Sequence, residues 1–332
     1  MNRIAVIGAV AAMQLAVAQA FTQSAIAQSA KPAPKTAPAK EQAAPKADPN
    51  VDLAFGAFQR GYYLTAFNEA TKRVDEKQDP KAMTLIAELY ANGFGVRQDD
   101  AKAAEWYRLA ADRGDREAMF ALAMFRIGGR GGARSKEDAA KLLASAAKLG
   151  HVAAAYDLAL LYIEGQQFPQ DFARAAELLR QASNAGSPEA QYALGTFYKD
   201  GRGVQKDERE AAKLLGTAAA AGNLDAMTEY SIALYNGTGV QKDEAAAAAI
   251  LLKAARRGSP IAQNRLARVF ASGRGLPADP VEAIKWHLIS KAGGAATDLF
   301  LDEFARKQPP KVREDAEKAA KPWLATIAAS RS

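Results

Sequence analysis

The chain contains no cysteine. That absence excludes a disulfide framework, a thiolate zinc cluster and a thiol nucleophile. Its only histidines are His151 and His287, too few for a histidine-based metal centre. No second apolar run of membrane-spanning length follows the amino terminus, and no alternating pattern of strand type occurs. There is no basic run and no patterned aromatic platform either, so nucleic acid is not an expected partner despite the net charge of +7. These absences leave catalysis with few reagents, and neither a cofactor nor a metal is called for.

What is present starts with an export signal over residues 1–27. Arg3 supplies the positive start, Ile4 to Ala18 is mostly apolar, and Ala25-Ile26-Ala27 fits the small-x-small cleavage rule. Cleavage is expected after Ala27, with Ala20 as the second choice, giving a periplasmic protein with no stable membrane span after processing. Gln14 and Gln19 interrupt the apolar run, which makes a permanent anchor the weaker reading. Residues 28–50 are Ala, Pro and Lys with almost no large apolar side chain, the composition of a disordered, extended spacer. Residues 1–50 carry five basic and two acidic groups, so only +4 of the net charge belongs to the rest of the chain.

A length of 332 residues suggests about two domains. A repeat overrides that estimate. Ala82, Ala118, Ala154, Ala190, Ala226 and Ala262 are each 36 apart, and so are Gly93, Gly129, Gly165, Gly201, Gly237 and Gly273. A third series runs Gly114, Gly150, Gly186, Gly222, Gly258 and Gly294. Asp79, Asp115, His151, Ser187, Asn223 and Ser259 form a column of mostly short polar acceptors, suited to cap a first helix, and Pro80, Pro188 and Pro260 follow at its first position. Asp99, Ser135, Asp171, Asp207, Asp243 and Asp279 open a second helix, with Glu210 and Glu282 placed for capping boxes. The glycine columns end the helices. Each unit is a helical hairpin too small to bury its apolar face alone, so the copies stack.

The series Ala-x-x-x-Leu-(Gly/Ala)-x-x-Tyr-x-x-Gly-x-Gly-Val, seen from Ala190 to Val204 and followed by Asp207, resembles the Sel-one-like repeat family, cousins of the tetratricopeptide repeats. The resemblance covers residues 79–294 and implies an all-α, right-handed α-solenoid of six hairpins. Residues 51–78 read as an N-terminal capping hairpin. Residues 295–332 read as C-terminal capping helices split by Pro309-Pro310 and anchored by Trp323. Arg126 and Leu234 replace the motif tyrosine and Gln167 replaces its second glycine, so distorted turns are expected there.

Several features invite chemistry. Gly93-Phe94-Gly95, Gly201-Arg202-Gly203 and Gly273-Arg274-Gly275 imitate phosphate loops, but they follow helices and lack the Lys-Ser/Thr pair, so they read as turns. The turn Gly128 to Gly132, with Arg130 and Arg134, is the most basic and could contact an anion. His151 belongs to the capping column, and His287 has no carboxylate partner identifiable from sequence. The repeating Asp99 column is explained by capping rather than by metal binding.

The positions the repeat leaves free are more informative. By likeness to the tetratricopeptide arrangement, the first-helix columns of Lys81, Thr84, Glu88 and Ala91 line the inner face. In the middle copies these columns carry Phe120, Met124, Ile127, Tyr156, Leu160, Ile163, Tyr192, Ile232 and Tyr235, an apolar and aromatic strip. Either superhelical curvature packs these side chains away, or they form an open groove for a peptide or helix of a partner. The resemblance implies a non-enzymatic scaffold or adaptor. Exported members serve in envelope signalling or exopolysaccharide production, which would make a membrane sensor or the exopolysaccharide machinery the partner. Two alternatives stand beside it: a hydrolase of the β-lactamase type claimed for cysteine-rich relatives, and a cell-wall-associated structural protein.

Overall fold

A computed structural model describes residues 52–166 and 169–329. The expected export signal and spacer lie outside these residues, as does Gln167. The described chain opens with α1 (Leu53–Gln59) and α2 (Tyr63–Lys77). Six hairpins follow: α3 (Pro80–Asn92) with α4 (Asp100–Asp112), α5 (Arg116–Gly128) with α6 (Lys136–Lys148), and α7 (Val152–Glu164) with α8 (Phe172–Asn184). Next come α9 (Pro188–Asp200) with α10 (Glu208–Ala220), α11 (Leu224–Asn236) with α12 (Glu244–Arg256), and α13 (Pro260–Ser272) with α14 (Pro280–Ala292). The chain closes with α15 (Leu299–Lys307) and α16 (Pro310–Ala329). Every regular element among the described residues is a helix. Each packs chiefly on its predecessor and successor until α16 returns across α14, where the Trp286 and Trp323 rings meet at 5.2 Å.

The helix starts follow the capping columns. Asp79, Asp115, His151, Ser187, Asn223 and Ser259 all have extended backbones and accept a main-chain N–H from the first turn of the following helix. The second-helix column does the same, from Asp99 to Asp279. The reciprocal half of the expected capping boxes is not made. The N–H groups of Asp207 and Asp279 already donate to the carbonyls of Tyr198 and Phe270, both at 3.0 Å. Glu210 therefore turns to Lys213 at 3.2 Å, and Glu282 accepts from the Trp286 indole at 3.0 Å.

That N–H to carbonyl bond recurs in all six repeats at 2.9–3.1 Å and closes each hairpin. It uses only the backbone of the motif tyrosine position, so the side chain there is free to vary. Arg126 and Leu234 accept it as Tyr90 does, and the glycines that follow, Gly129 and Gly237, keep φ at 70° and 75° beside 69–71° in the other copies. The distortion expected at these two turns is absent.

Small residues set the distance between helices. The alanines of the first-helix column are at most 2% exposed, and those of the second-helix column, Ala103 to Ala283, at most 3%. The second turn glycine has a stricter role. A Cβ on Gly131, Gly203, Gly239 or Gly275 would lie 1.8–2.3 Å from the carbonyl oxygen of Asp100, Phe172, Glu208 or Glu244, the first helical residue of the preceding repeat's second helix. These turns therefore seat one repeat on the main chain of the one before it, which accounts for glycine without any phosphate. At the N-terminal end, α1 and α2 bury Ala54, Ala57, Ala66 and Ala70 but leave Leu53, Phe55, Tyr62 and Leu64 on the surface.

A Gly203→Ala substitution should destabilise the solenoid by roughly 2–4 kcal/mol, combining left-handed strain with a clash against Phe172 that must push adjacent repeats away from each other. Gly186→Ala, where φ is +92° and nothing lies within 4 Å, should cost only about 1 kcal/mol. Urea denaturation of the two variants measures the difference.

Candidate functional site

The first helices α3, α5, α7, α9, α11 and α13 form one row, bonded directly from repeat to repeat. Thr84 donates to Asp115 at 3.0 Å, Lys199 pairs with Glu229 at 2.8 Å, and Phe120 stacks on His151 with centroids 4.4 Å apart and planes at 22°. The nine strip residues all lie on this row, and each is half-buried. Phe120, Met124, Ile127, Tyr156 and Ile163 rest against the core that runs from Ala123 to Phe197, and Tyr192 against the next. Their inward sides pack while their outer sides stay accessible. Among the large apolar side chains that are more than one-third exposed, Ile261 lies on this row at the start of α13, whereas Leu64 and Leu299 lie elsewhere.

The row is less apolar than its strip suggests. Tyr156 and Tyr192, one repeat apart, lie within electrostatic reach of each other. Burial first, then the negative charges of Asp157, Glu189 and Asp225, hold the Tyr156 phenol well above its ordinary range; burial, Asp225 and Glu229 do the same at Tyr192. Burial raises Asp225, helped by repulsion from Glu229, and burial alone raises Glu88. Asp157, itself half-buried, is affected most: loss of water around it pushes its carboxyl up to about 7.

Asp157 owes its isolation to register. Lys199 and Glu229 stand two repeats on from Ile127 and Asp157, so an isoleucine occupies the place of the balancing lysine. Sequence reasoning misses this residue because its column has no assigned role. The available signal is the series Leu85, Ala121, Asp157, Ala193, Glu229, Arg265, in which Glu229 has Lys199 thirty residues earlier and Asp157 has Ile127.

Other candidates resolve into structural roles. His151 Nδ1 accepts the Ala154 N–H at 3.0 Å, so its ring proton sits on Nε2, which donates to Glu117 at 3.1 Å. His287 does have a carboxylate partner, which the sequence did not reveal: Asp302, 15 residues on in α15, accepts from Nε2 at 2.9 Å and also binds Lys291. That pairing docks the C-terminal cap. Arg130, the suggested anion contact, forks onto Asp100 at 2.6 and 3.1 Å, reaches the Ala91 carbonyl at 2.9 Å and covers the Phe125 ring. Its Nε and Nη2 are thereby committed to a clamp between repeats. No group of three or more metal-ligating side chains occurs among the described residues. Two clefts of about 710 and 530 Å³ lie between adjacent turns at Lys206 to Gln241 and at Arg180 to Asp207, away from the strip. They mix both signs of charge and hold no convergent acid, base or nucleophile among the described residues.

The fold class these hairpins define is a tetratricopeptide-like α-solenoid. The Sel1 repeat model matches residues 80–115, 116–151, 152–187, 188–223, 224–259 and 260–294, and the chain belongs to the Sel1 repeat family. A Sel1 repeat protein from Oxalobacter formigenes is similar in structure, with 25% identity, a TM-score of 0.66, and coverage of 72% of this chain and 97% of that one. The protein c5321, a protective antigen of uropathogenic Escherichia coli strains with the same fold, is 24% identical, with a TM-score of 0.57 and coverage of 81% of this chain and 65% of that one. No curated protein matches the sequence. Sel1 repeat solenoids are generally protein-interaction scaffolds rather than catalysts. Among the described residues no helix is long and apolar enough to cross a membrane.

The raised Asp157 pKa makes a stability prediction. Between about pH 4 and 7 the folded chain keeps a proton there that the unfolded chain has released, so this group's contribution to stability falls as pH rises through that window. Asp157→Asn should lack this slope and exceed the parent at pH 8 by on the order of 2 kcal/mol. Denaturation curves at pH 5 and pH 8 would measure both effects.

Proposed function

We propose that this chain is an exported, non-enzymatic scaffold whose row of first helices captures an extended peptide or a helix of a partner protein. The observation that carries the reading is the strip from Phe120 to Tyr235, nine half-buried side chains on one row of helices, six of which rest on the core. Such a surface is rigid before binding, so little ordering entropy opposes association. The export signal read in residues 1–27 places the partner in the periplasm or on the outer side of the inner membrane. An adaptor in envelope signalling or exopolysaccharide production, holding a membrane sensor or part of the synthetic machinery, fits that setting. Neither the clefts nor the histidines supply the convergent groups a hydrolase needs.

Two experiments test the reading. Crosslinking and pull-down from the exported fraction should recover partners with the parent chain that Phe120→Ala combined with Tyr156→Ala no longer recovers, while its helical circular dichroism is kept. An unchanged set of partners would remove the strip from the function. Mass spectrometry of the exported protein should find Gln28 as the first residue, or Phe21 if the second site is used. A chain still beginning at Met1 would move the protein to another compartment.

A further inference from the structure

Charge along the row of first helices is unlike that of the rest of the chain. Helices α7, α9 and α11 together carry six carboxylates, Asp157, Glu164, Glu189, Asp200, Asp225 and Glu229, against one cation, Lys199. Their caps, His151, Ser187 and Asn223, add no carboxylate. The described structure thus concentrates negative charge on the helices that bear Tyr156 and Tyr192, within a protein whose net charge is +7. Long-range attraction there favours a cationic ligand.

The local pairing points the same way. Glu229 engages Lys199, whereas Asp157 and Asp225 have no ion-pair partner among the described residues. Asp157 is half-buried and accepts no hydrogen bond among the described residues, a costly state for a carboxylate that an incoming cation would relieve. The two tyrosines are equally unused. Other rings on the row of first helices are covered by the chain's own cations: Arg274 lies 4.5 Å from the Tyr235 ring centre and Lys102 lies 5.3 Å from that of Tyr90. Among the described residues, Tyr156 and Tyr192 carry no such cation and no hydroxyl partner.

We infer that the inner row of repeats three to five receives a cationic, extended segment of a partner protein, whose lysine or arginine side chains lie over Tyr156 and Tyr192 and pair with Asp157 and Asp225. This rests on the reading of the row as an interaction surface and specifies the partner's chemistry. Tyr156 and Tyr192 recur one repeat apart, and packed helices are spaced by roughly 10 Å. A chain extended in the polyproline-II conformation advances about 3.1 Å per residue and returns to the same face every third residue, so cations at every third position would match the two tyrosines. Ring faces and carboxylates together select a cation with an alkyl stem over a bare inorganic ion.

The probe is a short fluorescein-labelled peptide with lysine at every third position and alanine or serine between, titrated into the full chain and followed by anisotropy. The expected result is saturable binding that Asp157→Asn with Asp225→Asn weakens by about tenfold or more. Tyr156→Phe with Tyr192→Phe, which keeps the ring faces, should bind nearly as the parent does, and Tyr156→Ala with Tyr192→Ala should not. A peptide of the same composition with its lysines in one block should bind more weakly. Equal binding by the asparagine double variant, or equal binding of the blocked peptide, would reduce the effect to general charge attraction and overturn the proposal. Binding that emerges only when Lys31, Lys35, Lys40 and Lys46 are changed to glutamate would assign the site to the chain's own leader, and would overturn it too. Partners lost with Phe120→Ala and Tyr156→Ala but retained by the asparagine variant would leave the scaffold reading standing while this one fails.

Discussion

The rest of the structure depends on a close approach of main chain to main chain. The turn glycines Gly131, Gly203, Gly239 and Gly275 bring repeats two, four, five and six so near the start of the preceding second helix that no side-chain atom fits between them. Side-chain packing alone would let the distance between repeats drift with the size of each residue. Backbone contact does not adjust in that way, so successive copies keep one spacing. Constant spacing makes the pairing Lys199 to Glu229 transferable, and identifies Ile127 as the missing partner of Asp157. An isolated charge in the row is therefore a consequence of strict stacking and one substitution.

The same geometry explains which features are legible in the sequence. Columns that serve the backbone repeat in every copy, because helix ends and tight turns accept few residue types. Caps from Asp79 to Asp279 and the glycine series can thus be read without a structure. Competition between two acceptors or two donors for one partner cannot. The capping boxes at Glu210 and Glu282 fail because a carbonyl across the hairpin already holds the N–H they would need. Arg130 looks like a free basic residue in a turn until its distance to Asp100, 30 residues earlier, is known. His287 and Asp302 meet only because the C-terminal cap, which has no repeat to guide it, folds back there.

The strip shows a different limit. Its residues can be found by column, yet the column cannot say how far a side chain is covered, since that depends on the curvature accumulated over several repeats. Packed and open are the two states a column suggests. Half-burial along all nine residues is a third state, in which packing on one side stiffens the other. Tyr156 and Tyr192 have the rings held by the core beneath while their hydroxyls make no hydrogen bond among the described residues, which gives the row preorganised contact area with unused polar capacity.

Enclosed carboxylates in such a row carry a penalty that stacking alone does not require. Ala193, one repeat on from Asp157, fills the same position in the fold with no charge at all, and Leu85 fills it with a larger apolar group. Either residue would serve packing at Asp157 better than an acid whose ionisation is opposed by its surroundings. Among the described residues nothing local offsets that penalty, for neither a cation nor a hydrogen-bond donor pairs with the carboxylate. Real proteins tend to break local rules of this kind where a site for something else requires it. Burial opposes ionisation at Glu88 in repeat one as well, but Asp157 and Asp225 stand in repeats three and five near Tyr156 and Tyr192, over which no cation lies among the described residues. Unpaired Asp157 and Asp225 thus share one stretch of the row with two half-buried tyrosines that no cation covers among the described residues.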